Sequence, residues 1–206
     1  MHAGTAERAA PLYNPGVKRE LRQTLREALA GIPAEEARRR GLRVCQLFLE
    51  QREYARAQIL MIYLATGLDI DATPIALQAW ADYKRVLAPK VSWEQRRILP
   101  IEISSLTSDV QSTGLGMREP LDGMPIPVSE IDLVLVPGLG FDPRGNRVGR
   151  GRGFYDRLLS HRDFRGISCG MALEAQVVED VPHNESDRPV QMLVTEKQVR
   201  RFASAR

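Results

Sequence analysis

Residues 131–138, IDLVLVPG, hold four consecutive branched apolar side chains, Leu133 to Val136, closed by Pro137 and Gly138. A strand with one face in water alternates apolar and polar residues. A run with no polar break belongs in a sheet covered on both faces, as parallel sheets are. This one segment therefore demands helices around it. AQILMIYLA (57–65) has the same continuous character, and GISCGMAL (166–173), QMLVTEK (191–197), RVLAPKV (85–91) and ILPIEIS (98–104) are further strand candidates.

Helical patterns alternate with these strands. Val17, Leu21, Leu25 and Leu29 recur four apart, and Gly31 is a fitting stop. Residues 33–51 open on Pro33, with Glu35 and Glu36 where the positive end of a helix dipole favours them. Residues 71–83 and 154–162 also read as helical. The order predicts one α/β domain: a mainly parallel central sheet flanked by helices, with the two N-terminal helices packed on it. Residues 17–206 make up that domain, and residues 1–16 read as a flexible N-terminal extension. Residues 108–130 are rich in Gly, Pro and Ser without a period and read as loop.

Composition excludes several classes. Hydrophobic residues are 43% and charged residues 27% of 206, which suits a globular core. No apolar run nears the roughly 18 residues a membrane span needs, and residues 1–16 lack a signal peptide's apolar core. A cytoplasmic protein with no membrane partner is the expectation. Cys45 and Cys169 sit in apolar runs with no CxxC or Cys/His neighbourhood, so they read as core thiols. A nucleic-acid role is disfavoured, because aromatics are only 6% and 26 acids offset the 29 Lys and Arg.

In open α/β sheets ligands bind beyond the carboxyl ends of strands. The strand at 133–136 feeds GNRVGRGRGFYDRLL (145–159), with Gly149, Gly151 and Gly153 alternating with Arg150 and Arg152. Glycines admit close approach of a ligand, amides entering a helix attract anions, and Arg147, Arg150 and Arg152 can bind phosphate oxygens. The segment is neither a P-loop nor a dinucleotide fingerprint, since it reads GxGxG. A flexible basic surface loop is the competing reading. Asp156 fits either a helix-dipole partner or a Mg²⁺ ligand, and Asp187 or Glu185 could supply a second acid.

The segment VPGLGFDPRGNRVGRGRGFYDRLL resembles the signature of the 5-formyltetrahydrofolate cyclo-ligase family. KRELR (18–22), IYLATGLDIDATPI (62–75), MREP (117–120) and VPHNESDRPVQMLVTE (181–196) are similar to its other segments, in order. The resemblance implies a single α/β domain that uses Mg²⁺ and ATP to convert 5-formyltetrahydrofolate to 5,10-methenyltetrahydrofolate. It implies ATP contacts from Lys18, Arg19, Arg22, Arg147, Gly149, Arg150, Gly151, Arg152, Gly153, Phe154 and Tyr155. Leu64, Asp69 and residues 150–154 would meet the folate, with Tyr63, Met117, Trp93 and Tyr155 as candidates for packing on its flat pterin, and Asp156 and Asp187 would hold the metal. Lys18, Arg150 and Tyr155 would act in catalysis, in a monomer working on small molecules without nucleic acid. Asp69 departs from the family's usual Glu and reaches about one methylene less. An ATP-dependent paralogue acting on another formylated or pterin-like substrate is the alternative that this departure raises.

Overall fold

The structure is a computed structural model that describes residues 15–113 and 117–202. The expected extension falls outside these for residues 1–14. The first helix, α1, spans Pro15–Ala30, two residues earlier than Val17, because proline suits the first helical turn. It is followed by α2 (Ala34–Leu49), α3 (Arg52–Arg56), β1 (Ile59–Met61) and α4 (Thr73–Ala81). Next come β2 (Arg85–Ser92), β3 (Arg97–Ile103), β4 (Val110–Thr113) and β5 (Met117–Pro120). The chain continues through β6 (Leu133–Val136), β7 (Gly140–Phe141), β8 (Arg147–Val148) and α5 (Phe154–Leu159). It closes with β9 (Ile167–Met171), β10 (Met192–Val194) and β11 (Val199–Arg201).

Seven strands form the central sheet in the order β11-β10-β9-β6-β1-β2-β3. The pairs from β10 to β2 are parallel, and only the two edges, β2–β3 and β10–β11, are antiparallel. The IDLVLVPG strand, β6, is the central one and is buried along its length. Its residues alternate between two cores, as a pleated strand requires. Leu133 and Leu135 pack in a cluster with Phe48 of α2 and Ile75 of α4. Val134 and Val136 pack with Phe141 and with Leu158 of α5. The mainly parallel α/β expectation therefore holds.

Four local expectations change. The segment 108–130 is not simply loop, since β4 and β5 pair within it as an antiparallel hairpin. A hairpin of two-residue strands, β7–β8, leads into the glycine-arginine segment, with only β8 inside it. The helix expected over 154–162 ends at Leu159. In α1, Lys18 is buried and Val17 is exposed. At about 100° per residue, Val17 lies about 120° around the helix from Leu29, whereas Lys18 lies about 20° from it. Leu25 and Leu29 fix the buried face, Lys18 falls between them, and Arg22 lies about 20° beyond Leu29. Beyond the sheet, α1 rests on the glycine-arginine segment, where Leu25 packs with Leu139, Val148 and Val181. Cys45 and Cys169 are buried free thiols, and burial pushes Cys45 up to about 12.

Candidate active site

A cavity of about 870 Å³ opens past the carboxyl ends of β1 and β6. A buried carboxylate builds the chain that borders it. Asp142 accepts hydrogen bonds from the amides of Arg144 (2.8 Å), Asn146 (3.0 Å) and Val181 (3.2 Å). The side chains of Arg144 (3.0 Å) and Asn146 (2.9 Å) complete its set. Five donors on one desolvated carboxylate fold residues 142–146 into a tight turn, which aims β8 back toward the sheet. Gln176 fixes the exit from β6, donating to the carbonyls of Gly138 (3.0 Å) and Leu139 (3.1 Å).

Past β8 the backbone enters conformations that side chains rarely adopt. Gly151 has φ +92° and Gly153 has φ +67°. Gly153 stands in front of α5, where a left-handed residue turns the chain abruptly into the helix. α5 has only six residues, so its dipole is small and the local charge comes mainly from side chains.

Those charges are already paired. Lys18 donates to Asp187 Oδ2 at 2.6 Å, and the same oxygen accepts from the Asn184 amide at 2.8 Å. Arg147 donates through Nη2 to Asp156 Oδ1 at 2.7 Å, and that oxygen also accepts from the Arg188 amide at 3.1 Å. Arg22 Nε donates to the Gly149 carbonyl at 2.8 Å. Burial lowers the affinity of the Arg147 guanidinium for its proton, and Asp156 opposes the shift. Among the described residues its buried Nε has no hydrogen-bond partner, an arrangement that costs free energy unless a ligand or water completes it.

On the opposite bank, Asp69 Oδ2 accepts from the amide and hydroxyl of Thr66, each at 3.0 Å, and from Arg150 Nη2 at 2.9 Å. Arg150 also donates to the Thr66 carbonyl at 2.9 Å. The short acid at 69 is thus caught in its own turn, where it clasps the glycine-arginine segment. Burial, and next the charge of Asp69, push the Tyr155 phenol up, so it stays a neutral donor. Pro89, Val91, Trp93, Ile98 and Phe154 line an apolar end.

Of the residues singled out in the sequence, Lys18, Arg22, Leu64, Asp69, Arg147, Gly149, Arg150, Gly151, Arg152, Gly153, Phe154, Tyr155, Asp156 and Asp187 all line this cavity. Arg19 does not. It is exposed, one residue and therefore about 100° around α1 from Lys18. Tyr63 borders the cavity but spends its hydroxyl on the Ile70 carbonyl at 2.8 Å. The Met117 side chain lies outside the described residues. Sequence reasoning missed Arg188, Ser160, Arg118 and the apolar wall from β2 and β3. Arg188 could have been found as the neighbour of Asp187, but nothing local marks the wall. No helix among the described residues is long and apolar enough to cross a membrane.

Comparisons with known proteins bear on the fold and the family. The mouse 5-formyltetrahydrofolate cyclo-ligase is 25% identical, over 87% of this chain and 93% of its own. The Escherichia coli K12 protein of the same name is 27% identical, over 85% of this chain and 98% of its own. The NMR structure of Aquifex aeolicus 5,10-methenyltetrahydrofolate synthetase superposes with a TM-score of 0.78 at 31% identity, covering 92% of this chain and 95% of that one. The family model described as 5-formyltetrahydrofolate cyclo-ligase matches residues 14–196. With the fold, the order of its segments and nearly all of the chain matched, this protein belongs to the 5-formyltetrahydrofolate cyclo-ligase family.

Proposed function

We propose that the cavity binds ATP and 5-formyltetrahydrofolate together and converts them to 5,10-methenyltetrahydrofolate, ADP and phosphate. The observation that carries this reading is the buried Arg147 guanidinium with an unpartnered Nε, in a cavity that also holds Lys18 and Arg22. Three cations beside glycine backbone suit a polyphosphate. The apolar end with Trp93 and Phe154 suits a flat heterocycle.

A formyl oxygen is a poor leaving group, and phosphorylation makes it a good one. The N5-formyl oxygen attacks the γ-phosphoryl group and ADP departs, leaving an N5-iminium phosphate. N10 then attacks the activated carbon, loses its proton, and the ring closes as phosphate leaves. Phosphoryl transfer calls for positioning and charge neutralisation more than covalent help. Lys18, Arg22 and Arg147 hold phosphate oxygens, and Arg150, fixed by Asp69, stands between nucleotide and folate. Tyr155, kept neutral, donates a hydrogen bond and does not act as a base. Leu64 and Asp69 border the folate.

Asp156 and Asp187 fit a Mg²⁺. Each uses one oxygen in hydrogen bonds and leaves the other for a cation that takes one or two carboxylates beside phosphate oxygens. When bound, the ion neutralises charge on the transferring group. The reading takes the protein as a monomer acting on small molecules in the cytoplasm. The test follows methenyltetrahydrofolate absorbance with 5-formyltetrahydrofolate, with and without ATP and Mg²⁺. Product forming only with all three supports the reading. Absence of product despite nucleotide binding overturns it in favour of another formylated substrate.

A further inference from the structure

Arg157 lines the cavity but makes no ion pair among the described residues. It binds backbone instead. Its Nε donates to the Arg96 carbonyl, and its Nη2 donates to the Arg152 carbonyl at 2.9 Å. The guanidinium also lies 5.1 Å from the centroid of the Phe154 ring. Phe154 stands edge-on to Trp93, with centroids 5.4 Å apart, and Arg152 lies 5.4 Å over the Trp93 ring. Trp93 and Arg96 belong to the β2–β3 hairpin, whereas Arg152 and Phe154 belong to the glycine-arginine segment. The Arg157 side chain therefore hydrogen-bonds both parts of the chain, beside the ring contacts that link Trp93 to Arg152 and Phe154. Arg96 has φ +51°, a conformation a residue with a side chain seldom holds without support.

The geometry points to Arg157 as a positioning residue: it latches the β2–β3 hairpin to the glycine-arginine segment and so sets Trp93 and Phe154 as the apolar wall. The phosphate end has its own fastenings, Arg22 on the Gly149 carbonyl and Arg147 on Asp156. Loss of the latch falls on the apolar end alone. This inference rests on the proposed function, which assigns that end to the folate.

The test uses the intact protein with Trp80→Phe as parent. Trp80 and Trp93 are the chain's two tryptophans, and Trp80 donates to the Ile103 carbonyl outside the cavity lining. With Trp80 removed, Trp93 reports the hairpin. Arg157→Ala in this parent is expected to shift Trp93 emission to the red and to raise the KM for the folate about tenfold, about 1.4 kcal/mol. The KM for ATP stays where it was. Arg157→Lys keeps a cation that reaches one carbonyl, so it falls between parent and alanine in both readouts and carries the test where alanine lowers stability. A folded Arg157→Ala or Arg157→Lys protein with unchanged emission and unchanged folate KM overturns the latch, as does a fall in kcat alone. A parent without turnover counts against the folate reading instead, and the emission shift then tests the latch by itself.

Discussion

The site's two proposed metal ligands are each paired with a proposed phosphate ligand, Lys18 with Asp187 and Arg147 with Asp156. Nucleotide binding must therefore exchange partners, and Asp187→Asn isolates that exchange. The Lys18–Asp187 contact is 2.6 Å, between side chains only 8% and 24% exposed, so solvent screens it weakly. A hydrogen bond to a charged partner contributes about 1.5–3 kcal/mol. Asparagine keeps the shape and the bond from the Asn184 amide but removes the charge. At about 2–4 °C per kcal/mol for a protein of this size, melting should fall by about 3–12 °C. The same energy no longer holds Lys18 back from a phosphate. The variant is thus predicted to bind a non-hydrolysable ATP analogue about ten- to a hundredfold more tightly without metal. Mg²⁺ should then add less to that affinity than in the unaltered protein, because coupling between two ligands is reciprocal. Titration calorimetry with a chelator, and again with Mg²⁺, measures both. A folded variant whose metal-free affinity does not rise refutes the exchange.

Two further predictions concern the scaffold. Asp142→Ala strips the acceptor from five donors, several of them buried, and is expected to cost about 3–5 kcal/mol. Thermal denaturation should show a drop of about 6–20 °C, with nucleotide affinity falling in parallel as the 142–146 turn loosens; an unchanged melt would remove Asp142 as the builder of the turn. Glu53, tied to Arg201 of β11 at 2.8 Å, is depressed to about 2. A carboxylate lowered on folding stabilises above its ordinary value, and that contribution is lost as pH falls from about 4.5 toward 2. Glu53→Gln should therefore melt lower than the unaltered protein at neutral pH and converge with it near pH 2, as followed by circular dichroism.

Much of the fold was legible because burial on both faces leaves a mark in the chain. Leu133–Val136 read as a covered strand, and the glycines after it read as a ligand cradle or a basic surface loop, between which the cavity decides. The hairpin β4–β5 left no such mark. Gln111 and Ser112 are exposed polar residues, and their pairing depends on a partner strand rather than on a period. The strand β11 is equally silent, an edge of Val199–Arg201 whose arginines suggest a surface. In the site, residue types and spacing gave Arg147, Arg150, Arg152, the glycines and Asp156, whereas Lys18, Arg22 and Asp69 came from the family resemblance. Arg19 came with Lys18 and Arg22 from the same resemblance, and helical geometry turns it away from the cavity.

The sequence by itself determined an α/β sheet and a glycine- and arginine-rich segment after its central strand, because these follow from local chemistry and periodicity. The tertiary structure alone decided which charges neutralise one another. It set Lys18 against Asp187 across 169 positions of chain, Arg150 against Asp69, and Arg157 across the cavity to the β2–β3 hairpin. Coulomb energy and hydrogen bonding act over a few ångströms of space, and a linear order of residues does not record which distant segments the packed core brings within that range.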